Sequence, residues 1–85
     1  MFYVYVLKSD LDGNFYTGHT ANLRKRFLEH NSGKVDSTRE RAPFQLVYYE
    51  ASRNLMDAIR REKYLKTTYG HRYLISRLRH DLSQR

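Results

Sequence analysis

Residues Phe2-Tyr3-Val4-Tyr5-Val6-Leu7 form an unbroken run of aromatic, β-branched and aliphatic side chains. Such a run has the length of a strand and falls short of a helix, so the chain must build a sheet from its second residue onward. The next segment, Ser9-Asp10-Leu11-Asp12-Gly13-Asn14, is made of residues that favour turns, and Phe15 to about His19 reads as a second strand. The two are expected to form a hairpin whose loop is longer than the two-residue minimum. With 85 residues there is room for one small domain, residues 1–85, and for no second core.

Thr20 is placed to cap a helix from Ala21 to about Asn31, which Asn31-Ser32-Gly33 would stop. Lys34 to Pro43 is polar and basic and reads as an exposed loop, before a third strand at Phe44-Gln45-Leu46-Val47-Tyr48-Tyr49-Glu50. Asn54 can cap a helix from Leu55 to about Thr67, and Gly70 separates it from a short terminal helix with Leu74, Ile75, Leu78 and Leu82 on one side. The order ββαβαα predicts an α+β fold, a small three-stranded mixed sheet flanked by helices.

The core must come from packing alone, because the chain has no Cys and therefore neither a disulfide framework nor a thiolate zinc site. That suits a reducing cytoplasm. No leader and no apolar stretch of membrane-spanning length is present, so a soluble, cytoplasmic protein is expected. Aromatics make up 14% of residues, enough to close a small core. Sixteen Lys and Arg against nine Asp and Glu leave a net charge of +7, which suits a polyanionic partner such as nucleic acid.

Polar residues on faces that should be buried are the informative ones, since an unpaired buried charge is costly. In the helix from Leu55, the residues Leu55, Ala58, Ile59 and Leu65 define the apolar stripe, and Glu62 falls inside it. Glu62 is either a core-flanking ion pair with Lys66 or an Arg, or else a metal ligand or a general acid or base. The first helix repeats the pattern with opposite sign. Leu23 and Phe27 mark its inward face, and Arg26 and His30 lie on the same side. They either cover the core edge with their polar ends in water or face the site that Glu62 faces. Arg24, Lys25 and Glu29 point elsewhere, although Lys25 borders the site. Tyr5 and Tyr16 stand out among the eight tyrosines only if their hydroxyls meet Arg26 and Glu62, and Gly18 would let a backbone or ligand approach the sheet. His19, His71 and His80 read as isolated surface residues.

These residues match a family. Tyr3-Val4-Tyr5 and Tyr16-Thr17-Gly18, ten residues apart, resemble the two motifs that name the GIY-YIG nuclease superfamily. Thr20 to Asn31 resembles the helix that follows them, and Leu46 to Glu50 and Ala58 to Lys66 are similar to its third strand and Glu-bearing helix. The resemblance covers nearly the whole chain and is closest to the small stand-alone members similar to the GIY-YIG nuclease domain of the repair excinuclease. Tyr3 and Val4 stand where the first motif has Gly and Ile, and Thr17 where the second has Ile. The Asn that supports the metal site in larger relatives has no counterpart after Glu62.

The resemblance implies an endonuclease, a phosphodiester hydrolase that binds DNA, with a place in DNA repair. It assigns Mg²⁺ or Mn²⁺ to Glu62, the scissile phosphate to Arg26, the general base to Tyr5, and the orienting of water or relay of its proton to Tyr16 and His30. Gly18, Lys25, Arg26 and Lys66 become contacts to nucleic acid. A phenol is a weak base at neutral pH unless cations favour its phenolate, which Arg26, Lys25 and the metal could do. A partner protein that supplies targeting is a further expectation, and a membrane is not. Two other readings stay open, a binding module without turnover and a protein-interaction domain whose charge serves solubility.

Overall fold

A computed structural model describes residues 1–83; the last two positions of the expected domain lie outside the described residues. The opening run becomes strand β1, Phe2–Ser9, with β2, Phe15–Thr20, on one side of it and β3, Phe44–Ser52, on the other. Val4, Tyr5, Val6 and Leu7 are all buried, which only a central strand covered on both faces allows. Alternation divides them. Val4 and Val6 join Ala58, Leu65 and Leu74 in one cluster, while Tyr5 and Leu7 join Phe44 in another, flanked by Tyr16, Leu23 and Phe27.

Both pairings of β1 are antiparallel, which corrects the expectation of a mixed sheet. The helical crossover from β2 to β3 does make those two strands parallel to each other, but β1 lies between them and takes all the ladder bonds. The hairpin turn is fastened by Ser9. Its hydroxyl accepts from the amides of Leu11 and Asp12 and donates to the Arg41 carbonyl, 2.6 Å away, and Gly13 takes the left-handed conformation with φ +72°.

Helix α1 spans Leu23–Asn31, and its cap is Asn22, whose side chain accepts from the Lys25 amide. Thr20, the expected cap, instead accepts from the Asn22 amide and shapes the turn before the helix. Helix α2, Leu55–Leu65, is capped by Asn54 as expected, and it ends two residues before Thr67 because Thr67 caps α3, Thr68–Arg77. Gly70 therefore sits inside α3 and does not separate helices. A Cβ there would collide with the Tyr64 carbonyl, so glycine permits α3 to start directly against the end of α2. A four-residue helix α4, Arg79–Leu82, closes the described chain.

The segment Lys34 to Pro43 is not the open loop its composition suggests. It carries a 3₁₀ turn at Arg39–Arg41 and buries Val35 and Thr38, because it is folded back against the end of α1. None of the helices described is long and apolar enough to cross a membrane.

Candidate active site

Tyr5 lies on the face of β1 that α1 covers, directly opposite Gly18 on β2. A Cβ at Gly18 would stand 2.6 Å from the Tyr5 hydroxyl. Glycine is thus what admits the tyrosine ring at full depth. The phenol meets His30 from the last turn of α1, with Oη 2.8 Å from Nε2. On the other side of the imidazole, Nδ1 is 2.8 Å from Thr38 Oγ1, and that hydroxyl lies 3.4 Å from the Val35 carbonyl.

The directions of these bonds follow from the donor inventory. The Val35 carbonyl can only accept, so the Thr38 hydroxyl donates to it and accepts from His30 Nδ1–H. Nε2 is left bare and accepts from the Tyr5 O–H. His30 is fully buried, and burial, helped by the positive charge of Arg26, pushes its imidazole down to about 4, so it is neutral at physiological pH. Burial raises the Tyr5 phenol, and the Arg26 guanidinium beside it pulls the other way. The pair rests as a neutral phenol and a neutral imidazole. Tyr16 packs on both, its ring centroid 6.4 Å from that of Tyr5 and 5.0 Å from that of His30.

Arg26 precedes His30 by one turn, and Nη1 is held 3.1 Å from Glu29 Oε1. Glu29 therefore positions the guanidinium and is not a residue pointing elsewhere, an i, i+3 pairing that helix spacing could have signalled. Arg26, Lys25, His19 and Glu29 border one cleft beside the edge strand β2.

Glu62 reaches that same edge from the other face of the sheet. Its side chain is 16% exposed, with Oε1 2.5 Å from His19 Nδ1 and Oε2 2.6 Å from Lys66 Nζ. Burial pushes its carboxyl up, but the bonds and charges of Lys66 and His19 outweigh that and hold it below its usual value. The stripe that singled out Glu62 is partly right: Ala58 and Leu65 are buried and Ile59 is half-buried, but Leu55, in the first turn, is 41% exposed.

The structure thus brings Tyr5, Tyr16, Arg26 and His30 together under α1 and sets Glu62, with Lys66, across β2 from them. The Tyr5 hydroxyl bonds His30, a partner the tyrosine pattern alone did not indicate. Three participants escaped the sequence reading. His19 follows Gly18 and so points to the opposite face, where Glu62 is. Thr38 lies in a segment whose polarity hides its burial. Glu29 is the third.

Among the described residues no group of three or more His, Asp or Glu converges on one point. The donor set is one carboxylate beside one imidazole. That fits a hard divalent cation held by a single carboxylate, with water and substrate oxygens completing its shell, and it does not fit an all-protein cage.

Compared with known proteins, residues 1–74 match the family described as the GIY-YIG catalytic domain. The UPF0213 protein CPE1444 of Clostridium perfringens is 48% identical over 67 residues, which cover 78% of this chain and 71% of that protein. A UPF0213 protein of Bacillus pumilus is 44% identical over 66 residues, 76% of this chain and 66% of that one. The solution NMR structure of the UPF0213 protein BH0048 from Bacillus halodurans superposes with a TM-score of 0.56 at 38% identity, covering 89% of this chain and 84% of that one.

Proposed function

Because the chain belongs to the GIY-YIG catalytic domain family, a nuclease family, we propose that it is a divalent-metal-dependent endonuclease that hydrolyses phosphodiester bonds in structured or damaged DNA. The observation that carries this reading is the buried, neutral Tyr5–His30 pair set beside Arg26 at a basic cleft. Hydrolysis requires a deprotonated water, neutralised phosphoryl oxygens and a stabilised leaving oxygen.

Arg26 clamps the scissile phosphate with two parallel N–H donors, a fork that Lys lacks. Glu29 holds that fork in place from behind. Tyr5 accepts the proton of the attacking water only as its own O–H proton passes to His30 Nε2, so no free phenolate forms and the proton rests on His30 as an imidazolium. Thr38 keeps the other imidazole proton on Nδ1 and so keeps Nε2 free to receive. As the leaving oxygen departs, His30 returns its proton to Tyr5 while the Tyr5 O–H proton passes to that oxygen, which restores the neutral pair. Tyr16, packed on both rings, orients the water.

Glu62 would hold the ion, Mg²⁺ or Mn²⁺, which supplies Lewis-acid stabilisation of the phosphoryl charge. Lys66 and His19 screen the Glu62 carboxylate without it. Lys25 and Lys66 contact neighbouring phosphates; Gly18, expected to let a strand approach the sheet, is buried and its open side is filled by the Tyr5 ring, so it is not a contact to nucleic acid.

The test is incubation with nicked, branched, single-stranded and duplex DNA, and with RNA, in Mg²⁺ or Mn²⁺ and in chelator. Metal-dependent cleavage of at least one DNA structure is expected. The second reading, a binding module without turnover, has one observation in its favour: both Glu62 oxygens are already engaged and, among the described residues, no second carboxylate joins them. Binding with no product on any substrate would decide for it.

A further inference from the structure

Where α1 begins, it leaves part of its side of the sheet uncovered. Tyr3 on β1 and Tyr49 on β3 meet there edge to face, with centroids 6.1 Å apart, and Tyr49 stays 53% exposed. With Phe27 and Leu46, and with Asn22 and Arg24 at the rim, they bound an open groove of about 560 Å³. Arg24 carries the one charge among the described residues lining it. The candidate active-site cleft with Lys25 and Arg26 lies on the other side of the same helix start, and Ala21 and Asn22 wall both.

Together these features select an occupant. Arg26 and Lys25 line the one concavity and Arg24 the other, and the two share Ala21 and Asn22, so a strand whose phosphate sits at Arg26 and that follows these cations runs toward the groove. A nucleobase has the flat, apolar face that an exposed tyrosine ring stacks on, and Tyr49, 53% exposed, has ring surface open to it. A second copy of the chain would bring a charge of +7 toward a cationic rim and is repelled. We propose that the groove between Tyr3 and Tyr49 binds an unpaired nucleobase adjoining the phosphate at Arg26, which makes DNA with a single-stranded segment beside the scissile bond the preferred substrate class. This inference rests on the nuclease reading for the position of the phosphate. Tyr3, which stands where the first motif of the family has Gly, then becomes a specificity residue.

The test is fluorescence anisotropy in chelator, where nothing is cleaved. It uses a labelled duplex with a single-stranded overhang, the same molecule with abasic units in the overhang, and the blunt duplex. The parent should bind the base-bearing overhang about tenfold tighter than the abasic one. Tyr49→Ala should erase that difference and leave blunt-duplex binding within about twofold, while Tyr49→Trp should keep it. Because Tyr49 is exposed, the Ala variant should melt with the parent. Equal binding of base-bearing and abasic overhangs by the parent would overturn the inference, as would an equal loss on overhang and blunt duplex in Tyr49→Ala. A dimer in sedimentation that Tyr49→Ala dissociates would also overturn it by showing a second copy in the groove. Base-dependent binding without metal-dependent cleavage would sink the nuclease reading alone, and cleavage indifferent to unpaired bases would sink this inference alone.

Discussion

His30 is neutral because it is buried, and this has a measurable consequence for stability. Its folded value, about 4, lies below the ordinary 6.5, so between those values the unfolded chain binds a proton that the folded chain refuses. The stabilisation is complete above pH 6.5 and is lost as pH falls toward about 4. The melting temperature of the parent should drop across that window, and His30→Gln, which can still bond Tyr5 and Thr38, should flatten the drop. An unchanged slope in the variant would show that His30 is not the group responsible. Thr38→Val leaves the buried Nδ1–H of His30 without an acceptor, at a cost of about 1–3 kcal/mol. It also frees the imidazole to carry its proton on Nε2, so cleavage should fall by about tenfold or more, with Thr38→Ser restoring both. Arg26→Lys keeps the charge and loses the fork. It should retain most binding in a filter or anisotropy assay and lose cleavage by about a hundredfold; a loss of only a few-fold would make Arg26 a core-edge residue.

Two glycines decide how closely elements approach, and they differ in what would have to yield. At Gly18 the obstacle to a Cβ is the ring of Tyr5, locked between β2 and α1; at Gly70 it is the backbone of Tyr64 and Leu65 at the end of α2. Alanine inside a helix ordinarily stabilises by about 1 kcal/mol relative to glycine. Here Gly70→Ala should reverse that sign and cost more than Gly18→Ala, for which about 1–3 kcal/mol is expected. Urea unfolding of the two variants checks the order. α2 is tied to β3 as well, because Arg61 donates from Nε to both Glu50 oxygens and from Nη2 to one of them, and lies over the rings of Tyr64 and Tyr73. Strands, the α2 cap and the inward faces of α1 were legible because they depend on local periodicity and local side-chain bonds. The role of Gly70 was not, since close approach of two helices reads in sequence like a helix stop. Thr38 was hidden for a related reason: a polar loop residue becomes buried only through contacts distant in the chain. Arg26, His30 and Glu62 could be picked out as misplaced polar residues, and helix spacing could have paired Glu29 with Arg26, but the partners Thr38 and His19 needed the fold.

The whole molecule is a thin body, 34 × 30 × 18 Å, carrying a net charge of +7 on the full chain. Contacts to phosphate made by such a surface release counterions, so the logarithm of the binding constant should fall linearly with the logarithm of salt, and Lys25→Gln should reduce the slope by about one. An interface that serves only protein association would show little slope. The central claim, that Glu62 is a metal-binding catalytic carboxylate and not merely the anchor of His19 and Lys66, is tested by Glu62→Gln, scored for DNA cleavage and for melting temperature with and without Mg²⁺ or Mn²⁺. Both partners are well exposed, so losing the ion pairs should cost less than about 1 kcal/mol. The account predicts that the variant melts close to the parent, does not cleave, and gains less stability from added metal than the parent does. A variant that melts clearly lower with or without metal and still cleaves DNA would contradict it.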